Sequence, residues 1–87
     1  MNLTIKKYAS HSCVKCKLLD KVLKHLNLLD KTETVYIEDL TEDELNQLQA
    51  TSVPILLISN GETTERLVGN ILPQDIHDIV EKLNNGV

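Results

Sequence analysis

The chain has 87 residues, a length that allows one small core, so residues 1–87 are predicted to form a single domain. Its net charge of −4, and two tyrosines without any Trp or Phe, argue against a nucleic-acid-binding surface. The longest apolar stretch, residues 53–58, is too short to cross a membrane. Residues 1–7 lack the apolar segment of a signal peptide, and we therefore expect a cytoplasmic protein.

The N-terminal third is predicted to form a strand followed by a helix. Residues 3–9 form the strand, which ends at a Ser/His cluster. A helix follows to about residue 27, and Ser10 or Ser12 is expected to cap its start. Its apolar residues recur with the helical period: Val14, Leu18, Leu19, Val22, Leu23 and Leu26.

The middle of the chain is predicted to add a second strand and a short helix. Residues 34–37 are β-branched and aromatic, which is typical of a strand. Thr41 and Glu44 have the spacing of a capping box, so a helix is expected over residues 42–49. The acidic groups Glu38-Asp39 and Glu42-Asp43-Glu44 are interpreted as a solvated face with a capped helix start and not as an acid/base pair.

The last third is predicted to form a hairpin and a helix. Residues 55–58 are apolar on both faces, Asn60-Gly61 is a hairpin turn signal, and residues 64–68 return as a fourth strand. Pro73 suits the first turn of the last helix. The order βαβαββα predicts an α/β fold, with a parallel βαβ crossover, an antiparallel hairpin and a mixed four-stranded sheet flanked by helices.

Both cysteines of the chain, Cys13 and Cys16, lie where the first strand passes into the first helix. At this spacing the two side chains share one helix face, and a small tightening of the turn would let them bond. The positive end of the helix dipole, with Lys15 and Lys17 nearby, favours a thiolate at Cys13, the form that attacks disulfides. In a reducing compartment such a pair is more often catalytic or metal-binding than a structural staple.

The cysteines allow two other interpretations. The pair could be two small buried helix residues, although nothing in packing explains the spacing. A zinc site could use His11 and His25 with both cysteines, but His25 lies about 13 Å along the helix from Cys16, too far for one tetrahedral ion. We therefore predict no metal site.

Pro54 stands at the entrance of the third strand and allows two hypotheses. A trans proline would simply start the strand. A cis bond between Val53 and Pro54 would turn a backbone edge toward the cysteines. Because only about 5–6% of X–Pro bonds in folded proteins are cis, the residues alone favour trans.

Four motifs together resemble the thioredoxin/glutaredoxin family. They are Cys13-Val14-Lys15-Cys16, Ser52-Val53-Pro54-Ile55, Asn60-Gly61 and Leu67-Val68-Gly69, and they cover nearly the whole chain in the family's order. The resemblance implies a thioredoxin-like fold and a thiol–disulfide oxidoreductase that reduces protein disulfides through its own redox-active disulfide, without a further cofactor.

The resemblance also implies roles for particular residues. It makes Cys13 the attacking thiol and Cys16 the resolving thiol. It makes the Val53–Pro54 bond cis, with the Val53 backbone pairing with an extended substrate segment. It makes Gly69 the residue that keeps the neighbouring surface open, so all of these residues are expected to lie close together.

Several positions depart from the family pattern. Ser10 replaces the basic residue that helps glutaredoxins hold glutathione, and Asn70 replaces a second glycine. Ser12 replaces the thioredoxin tryptophan. Lys7 stands where thioredoxins have a buried aspartate that helps move the proton of the resolving cysteine.

The sequence also predicts the environments of Lys7 and the three histidines. We expect Lys7 to be exposed, since lysine is rarely buried, whereas an inward Lys7 would lower the pKa of Cys16. We expect His11 to be a solvated loop residue, with tuning of Cys13 as the alternative. His25 and His77 are expected on helix surfaces.

The expected partners follow from the resemblance. They are a disulfide-containing protein substrate, with ribonucleotide reductase as an example, and a reductant that is either a thioredoxin-reductase-type flavoenzyme or glutathione. We expect a monomer with no nucleic-acid or membrane partner, and we expect glutathione to be the poorer reductant.

Two other functions are alternatives to the oxidoreductase. One is an iron–sulfur or metal carrier of the same fold that ligates through one or both cysteines, and the other is a non-catalytic peptide-binding module.

Overall fold

A computed structural model describes residues 3–49 and 52–84 of the chain. Its strands and helices, in chain order, are β1 (Thr4–Ala9), α1 (Val14–His25), β2 (Thr32–Tyr36), α2 (Glu42–Leu48), β3 (Ile55–Ser59), β4 (Thr64–Val68) and α3 (Pro73–Asn84). Short 3-10 helices, Leu29–Lys31 and Ile37–Asp39, flank β2. The predicted order βαβαββα is confirmed. The largest boundary differences are of two residues: α1 ends and β2 begins two residues before the predicted positions.

The four strands form one mixed sheet in the order β2-β1-β3-β4. β1 runs parallel to β2, with Ile5 opposite Thr32, as the βαβ crossover predicts. β1 runs antiparallel to β3, with Ile5 opposite Ile58, and β3 and β4 form the predicted hairpin. The carboxyl ends of β1, β2 and β4 and the amino end of β3 therefore meet at one edge of the sheet.

The hydrophobic core lies on the face of the sheet that carries α1 and α3. It consists of residues from both central strands, both helices and the segment before α3: Ile5, Leu19, Leu23, Leu56, Ile58, Ile71, Ile76 and Leu83. Alternate strand residues point to the same face, which is why Ile5 and its partner Ile58 both enter this core. On the opposite face Tyr8 shares a cleft with Glu44 and Leu48, at α2.

The apolar stripe of α1 differs from its sequence prediction. Cys16, Leu19 and Leu23 are the buried residues of the helix. Val14 and Leu18, which also fit the helical period, are 70% and 53% exposed. The core therefore occupies a narrower arc of α1 than the sequence indicates, and two apolar side chains are left on the surface beside the cysteines.

The start of α2 has the predicted capping box. The Glu44 N–H donates to Thr41 Oγ1 at 3.2 Å, and the Thr41 N–H donates to Glu44 Oε1 at 2.9 Å. The Thr41 N–H, as the largest cause, and then the Thr41 hydroxyl lower the pKa of the Glu44 carboxyl below its ordinary value. The cap confirms that Thr41 and Glu44 serve the helix.

The far end of α2 is tied to the sheet. Gln49 closes the helix in the left-handed conformation, and the Arg66 guanidinium donates to the carbonyls of Leu48 at 2.6 Å and Gln49 at 3.1 Å. This contact fixes the end of α2 against β4, shortly before Val53. No helix in residues 3–49 or 52–84 has the length and apolarity that crossing a bilayer requires.

Candidate active site

The two cysteines form a disulfide at the start of α1. Their Cα atoms are 5.3 Å apart, and the connecting turn places Cys13 immediately before the first helical residue. Cys13 is itself the N-cap, since its backbone is extended and its Sγ accepts the Cys16 N–H at 3.1 Å. The predicted cap by Ser10 or Ser12 is therefore wrong, because a sulfur already occupies the capping position.

The two sulfurs have different exposures. Cys16 is only 3% exposed and belongs to the buried stripe of α1, one turn before Leu19. Cys13 lies outside that stripe and is half-buried. An attacking reagent can therefore reach Cys13 more readily than Cys16, because the helix rotates the second sulfur into the protein.

The electrostatic surroundings of Cys13 are those of an uncompensated helix start. The first turn of α1 contains no acidic residue, and Lys15 in that turn is exposed. The free N–H groups of a helix start carry partial positive charge and favour an anion over a neutral group. Once the disulfide is reduced, this field favours a thiolate at Cys13.

The loop between β1 and α1 is held by Glu38, from the segment that follows β2. Glu38 Oε2 accepts the Ser10 hydroxyl at 2.9 Å and the His11 N–H at 3.1 Å. The backbone N–H of Glu38, then the His11 N–H and the Ser10 hydroxyl, lower the pKa of this carboxyl below its ordinary value of 4.5. The prediction of a solvated face misses this anchoring role of Glu38.

A sequence signal for this contact existed in the strand pairing. Because β1 and β2 are parallel, the residues that follow them meet at the same edge of the sheet. His11 is exposed, as expected for a loop residue, but its ring also stacks on Tyr36 with centroids 3.8 Å apart and planes 14° apart. The predicted solvated histidine is therefore held in place on one side.

Pro54 and Gly69 are joined at the neighbouring strand ends. The Val53–Pro54 peptide bond is cis, as the family resemblance implied and the residues alone did not. The Gly69 N–H donates to the Pro54 carbonyl at 3.0 Å. Gly69 has φ of +83°, which L side chains rarely adopt, and a side chain there would project into open space.

The sheet brings these groups to one edge of the molecule. Cys13 follows the carboxyl end of β1, Pro54 precedes the amino end of β3, and Gly69 follows the carboxyl end of β4. The pairing of Tyr8 with Ile55 in the β1–β3 ladder makes these ends neighbours. Four exposed apolar side chains lie near the disulfide and Gly69 in the chain: Val14, Leu18, Val68 and Leu72.

Solved structures similar to this one share the arrangement of the sheet and helices. A thioredoxin of Schistosoma mansoni superposes with a TM-score of 0.70 at 21% identity, covering 92% of this chain and 77% of that chain. A mutant thioredoxin of Halobacterium salinarum gives 0.67 at 21% identity, covering 92% and 73%. Chloroplastic thioredoxin z gives 0.67 at 20% identity, covering 97% and 80%.

The chain has the thioredoxin fold. Sequence comparison adds nothing to this, since no family model and no curated protein matches the chain. At 20–21% identity, the likeness to solved thioredoxins establishes the architecture and leaves the activity to be argued from the site.

Lys7 is the residue whose environment differs most from its sequence prediction. The predicted exposed lysine is wrong, because Lys7 is 2% exposed and its ammonium contacts Asp20 of α1. The reason lies in the alternation of β1, where Ile5, Lys7 and Ala9 all face α1. A buried charge is tolerated here because it has a carboxylate partner.

The remaining predicted residues do not line the cavity beside Cys16. Lys15 is exposed, and it is Lys17 that lines the cavity beside Cys16. His25 and His77 lie exposed on α1 and α3, as predicted. Within the part of the chain that the structure describes, the three side chains close enough to share a metal ion are His77, Asp78 and Glu81, which are exposed on α3 and include neither cysteine.

Proposed function

We propose that the protein is a thiol–disulfide oxidoreductase that reduces disulfides of protein substrates with the dithiol of Cys13 and Cys16. One observation carries the proposal: the disulfide joins a half-buried sulfur that caps a helix to a sulfur that is 3% exposed. This asymmetry gives the two thiols separate roles. Cys13 is accessible to a substrate disulfide, and Cys16 is placed to attack Cys13.

The reaction proceeds in two exchanges. The Cys13 thiolate attacks one sulfur of the substrate disulfide, forms a mixed disulfide and releases the other substrate sulfur as a thiolate, which takes a proton from water. The Cys16 thiol loses its proton and attacks Cys13 Sγ. A Cys13–Cys16 bond forms, the bond to the substrate breaks, and the second substrate thiolate leaves. The substrate gains two electrons and the protein dithiol loses them.

The edge beside the disulfide is proposed to hold the substrate. Val53 precedes the cis proline, and its backbone is proposed to pair with an extended segment of the substrate by strand addition. Gly69, bonded to Pro54, leaves open space above this edge. Exposed Val14 and Val68 supply apolar surface for substrate side chains next to the reacting sulfurs.

The assay that tests the proposal is insulin reduction with dithiothreitol as the source of electrons. Wild-type protein should reduce insulin, and Cys13→Ser should lose all turnover because it removes the attacking sulfur. Cys16→Ser, reduced and then freed of dithiothreitol before it is mixed with insulin, should accumulate a mixed disulfide that mass spectrometry detects. His77→Gln, an exposed change on α3, serves as the control and should keep full activity. Turnover that survives Cys13→Ser would overturn the proposal.

The physiological reductant is proposed to be a thioredoxin-reductase-type flavoenzyme and not glutathione. This preference rests on the residues, because Ser10 bonds to Glu38 and supplies no cation for glutathione. The client is proposed to be a disulfide-bearing protein such as ribonucleotide reductase, an assignment carried by the family resemblance. Comparing the rates at which each reductant reduces the oxidised protein would decide the first point.

A further inference from the structure

Lys7 places a positive charge on the apolar face of the sheet. Its row in β1 contains Ile5 and Ala9, which are 1% and 2% exposed, and its partner across β3 is Leu56, which is fully buried. Among the described residues, Lys7 is the one charged or polar residue that is buried. Because removing an ammonium from water is costly, this position calls for a compensating interaction.

Asp20 supplies that interaction from α1. Its Oδ1 accepts a hydrogen bond from Lys7 Nζ, and its side chain is 43% exposed while that of Lys7 is 3% exposed. Asp20 also lies four residues after Cys16 and therefore on the same side of the helix, one turn further along. The ion pair thus extends from the protein interior, beside Cys16, to the solvent.

A cavity of about 70 Å³ connects the ion pair with the resolving cysteine. Its lining includes Cys16, Lys7 and Asp20. The other ionisable groups around it are His11 from the loop, Lys17 from α1 and Tyr36 from β2. β3 presents apolar Leu56 to Lys7. The volume is sufficient for water, so a proton leaving Cys16 has a polar route outward.

We propose that the Lys7–Asp20 ion pair sets the reactivity of Cys16: Lys7 stabilises its thiolate, and Asp20 limits that stabilisation by partly neutralising Lys7. The inference rests on the proposed function, since it concerns the second exchange of that reaction. Both residues act through Cys16 and do not contact the substrate. The proton released by the Cys16 thiol passes to water in the cavity, and the thiolate then attacks Cys13 Sγ.

The two members of the pair have opposite predicted effects. Without the Lys7 charge, the Cys16 thiolate loses its cation, so resolution should need a higher pH. Without the Asp20 charge, Lys7 acts on Cys16 unopposed, so resolution should reach its full rate at a lower pH. A purely structural ion pair would give no such opposition, because breaking it from either side would remove the same contact.

The test follows the reduced protein reacting with Ellman's reagent in a stopped-flow instrument. A first release of thionitrobenzoate reports attack by Cys13, and a second reports resolution by Cys16. Lys7→Met, which keeps the length of the apolar stem, should move the pH profile of the second phase up by about one unit and slow it roughly tenfold at neutral pH. Asp20→Asn should move it down, and Lys7→Arg should restore the wild-type profile.

A matched control is available on the same side of the sheet. Lys82 Nζ lies 3.0 Å from Glu65 Oε1, with side chains 57% and 28% exposed, and Lys82→Met should leave both phases unchanged. If Lys7→Met does not fold, Asp20→Asn and Lys7→Arg still decide, since one must shift the profile down and the other must retain it. Unchanged second-phase profiles, or shifts of the same sign in Lys7→Met and Asp20→Asn, would overturn the inference.

The two proposals fail in different ways in this experiment. Absence of the first phase in wild-type protein would remove the proposed function, and the inference with it. A normal first phase with an unresponsive second phase would remove only the role of Lys7 and Asp20.

Discussion

The starts of α1 and α2 cap their free N–H groups with different atoms. At α2, Thr41 and Glu44 exchange hydrogen bonds with each other's backbone, and three acidic residues occupy the first turn. At α1, the cap is the sulfur of Cys13, and the first turn contains no acidic residue. Both helices expose unpaired N–H groups and the positive end of a dipole at this point.

The difference is that carboxylates balance the positive end of α2, whereas the positive end of α1 acts on a cysteine. Fixed carboxylates at α2 neutralise the dipole permanently, so that end of the helix has no field left for another anion. At α1 the first turn holds no carboxylate and the cap is Cys13, whose charge depends on its redox and protonation state. The absence of acidic residues from the first turn of α1 is therefore as informative as the presence of the cysteines.

The largest effect is expected from giving α1 the acidic first turn that α2 has. Val14 is 70% exposed, so Val14→Asp should fold and should stabilise the helix through the dipole. The same carboxylate should disfavour the neighbouring Cys13 thiolate. We expect alkylation of Cys13 by iodoacetamide to slow about tenfold at neutral pH, measured in a Cys16→Ser background.

Two controls separate charge from shape in this experiment. Val14→Asn has nearly the same size without the charge and should keep most of the rate. Leu18→Asp places the carboxylate one turn further along α1, where the dipole has faded, and should have a smaller effect. Equal rates for Val14→Asp and Val14→Asn would contradict the view that the helix start activates Cys13.

Most of the fold was predictable because it depends on local signals. The helical period, the Thr41–Glu44 cap and the Asn60-Gly61 turn each specify their own segment, and the right-handed crossover then limits how the strands assemble. The outward rotation of Val14 was not predictable. It depends on which arc of α1 meets the sheet, a tertiary property that the period alone does not contain.

The site was predictable in part for the same reason. Cys13 and Cys16 are neighbours along the chain, so their pairing follows from local geometry. The bonds from Glu38 to the loop before α1 join residues 27 and 28 positions apart, and the burial of Lys7 needs a partner 13 positions away. No pattern within one segment indicates such contacts, because they depend on how strands and helices pack. For Glu38 the only signal is the predicted parallel pairing of the first two strands.

A smaller effect, on stability alone, is expected at the other helix start. Thr41→Ala removes the oxygen that accepts the Glu44 N–H, and loss of an N-cap of this kind typically costs about 1 kcal/mol. Urea denaturation should show this loss, while the alkylation rate of Cys13 should not change. Thr41→Ser, which keeps the hydroxyl, should retain most of the stability. A slower Cys13 in Thr41→Ala would mean that the two helix starts are coupled.

The smallest effect is expected at Glu38, whose exposed carboxylate holds the loop before α1. Its folded pKa lies below 4.5, so its contribution to stability is complete above that pH and is lost as the pH falls through the lower folded value. Glu38→Gln keeps the shape and removes the charge. Its urea midpoint should therefore lie slightly below that of the wild type at neutral pH and converge with it in strong acid. The neighbouring change Asp39→Asn, which leaves the bonds of Glu38 in place, is the control and should keep the wild-type midpoint at neutral pH. A gap that widens on acidification would contradict this role, because a lowered pKa can only withdraw stability there.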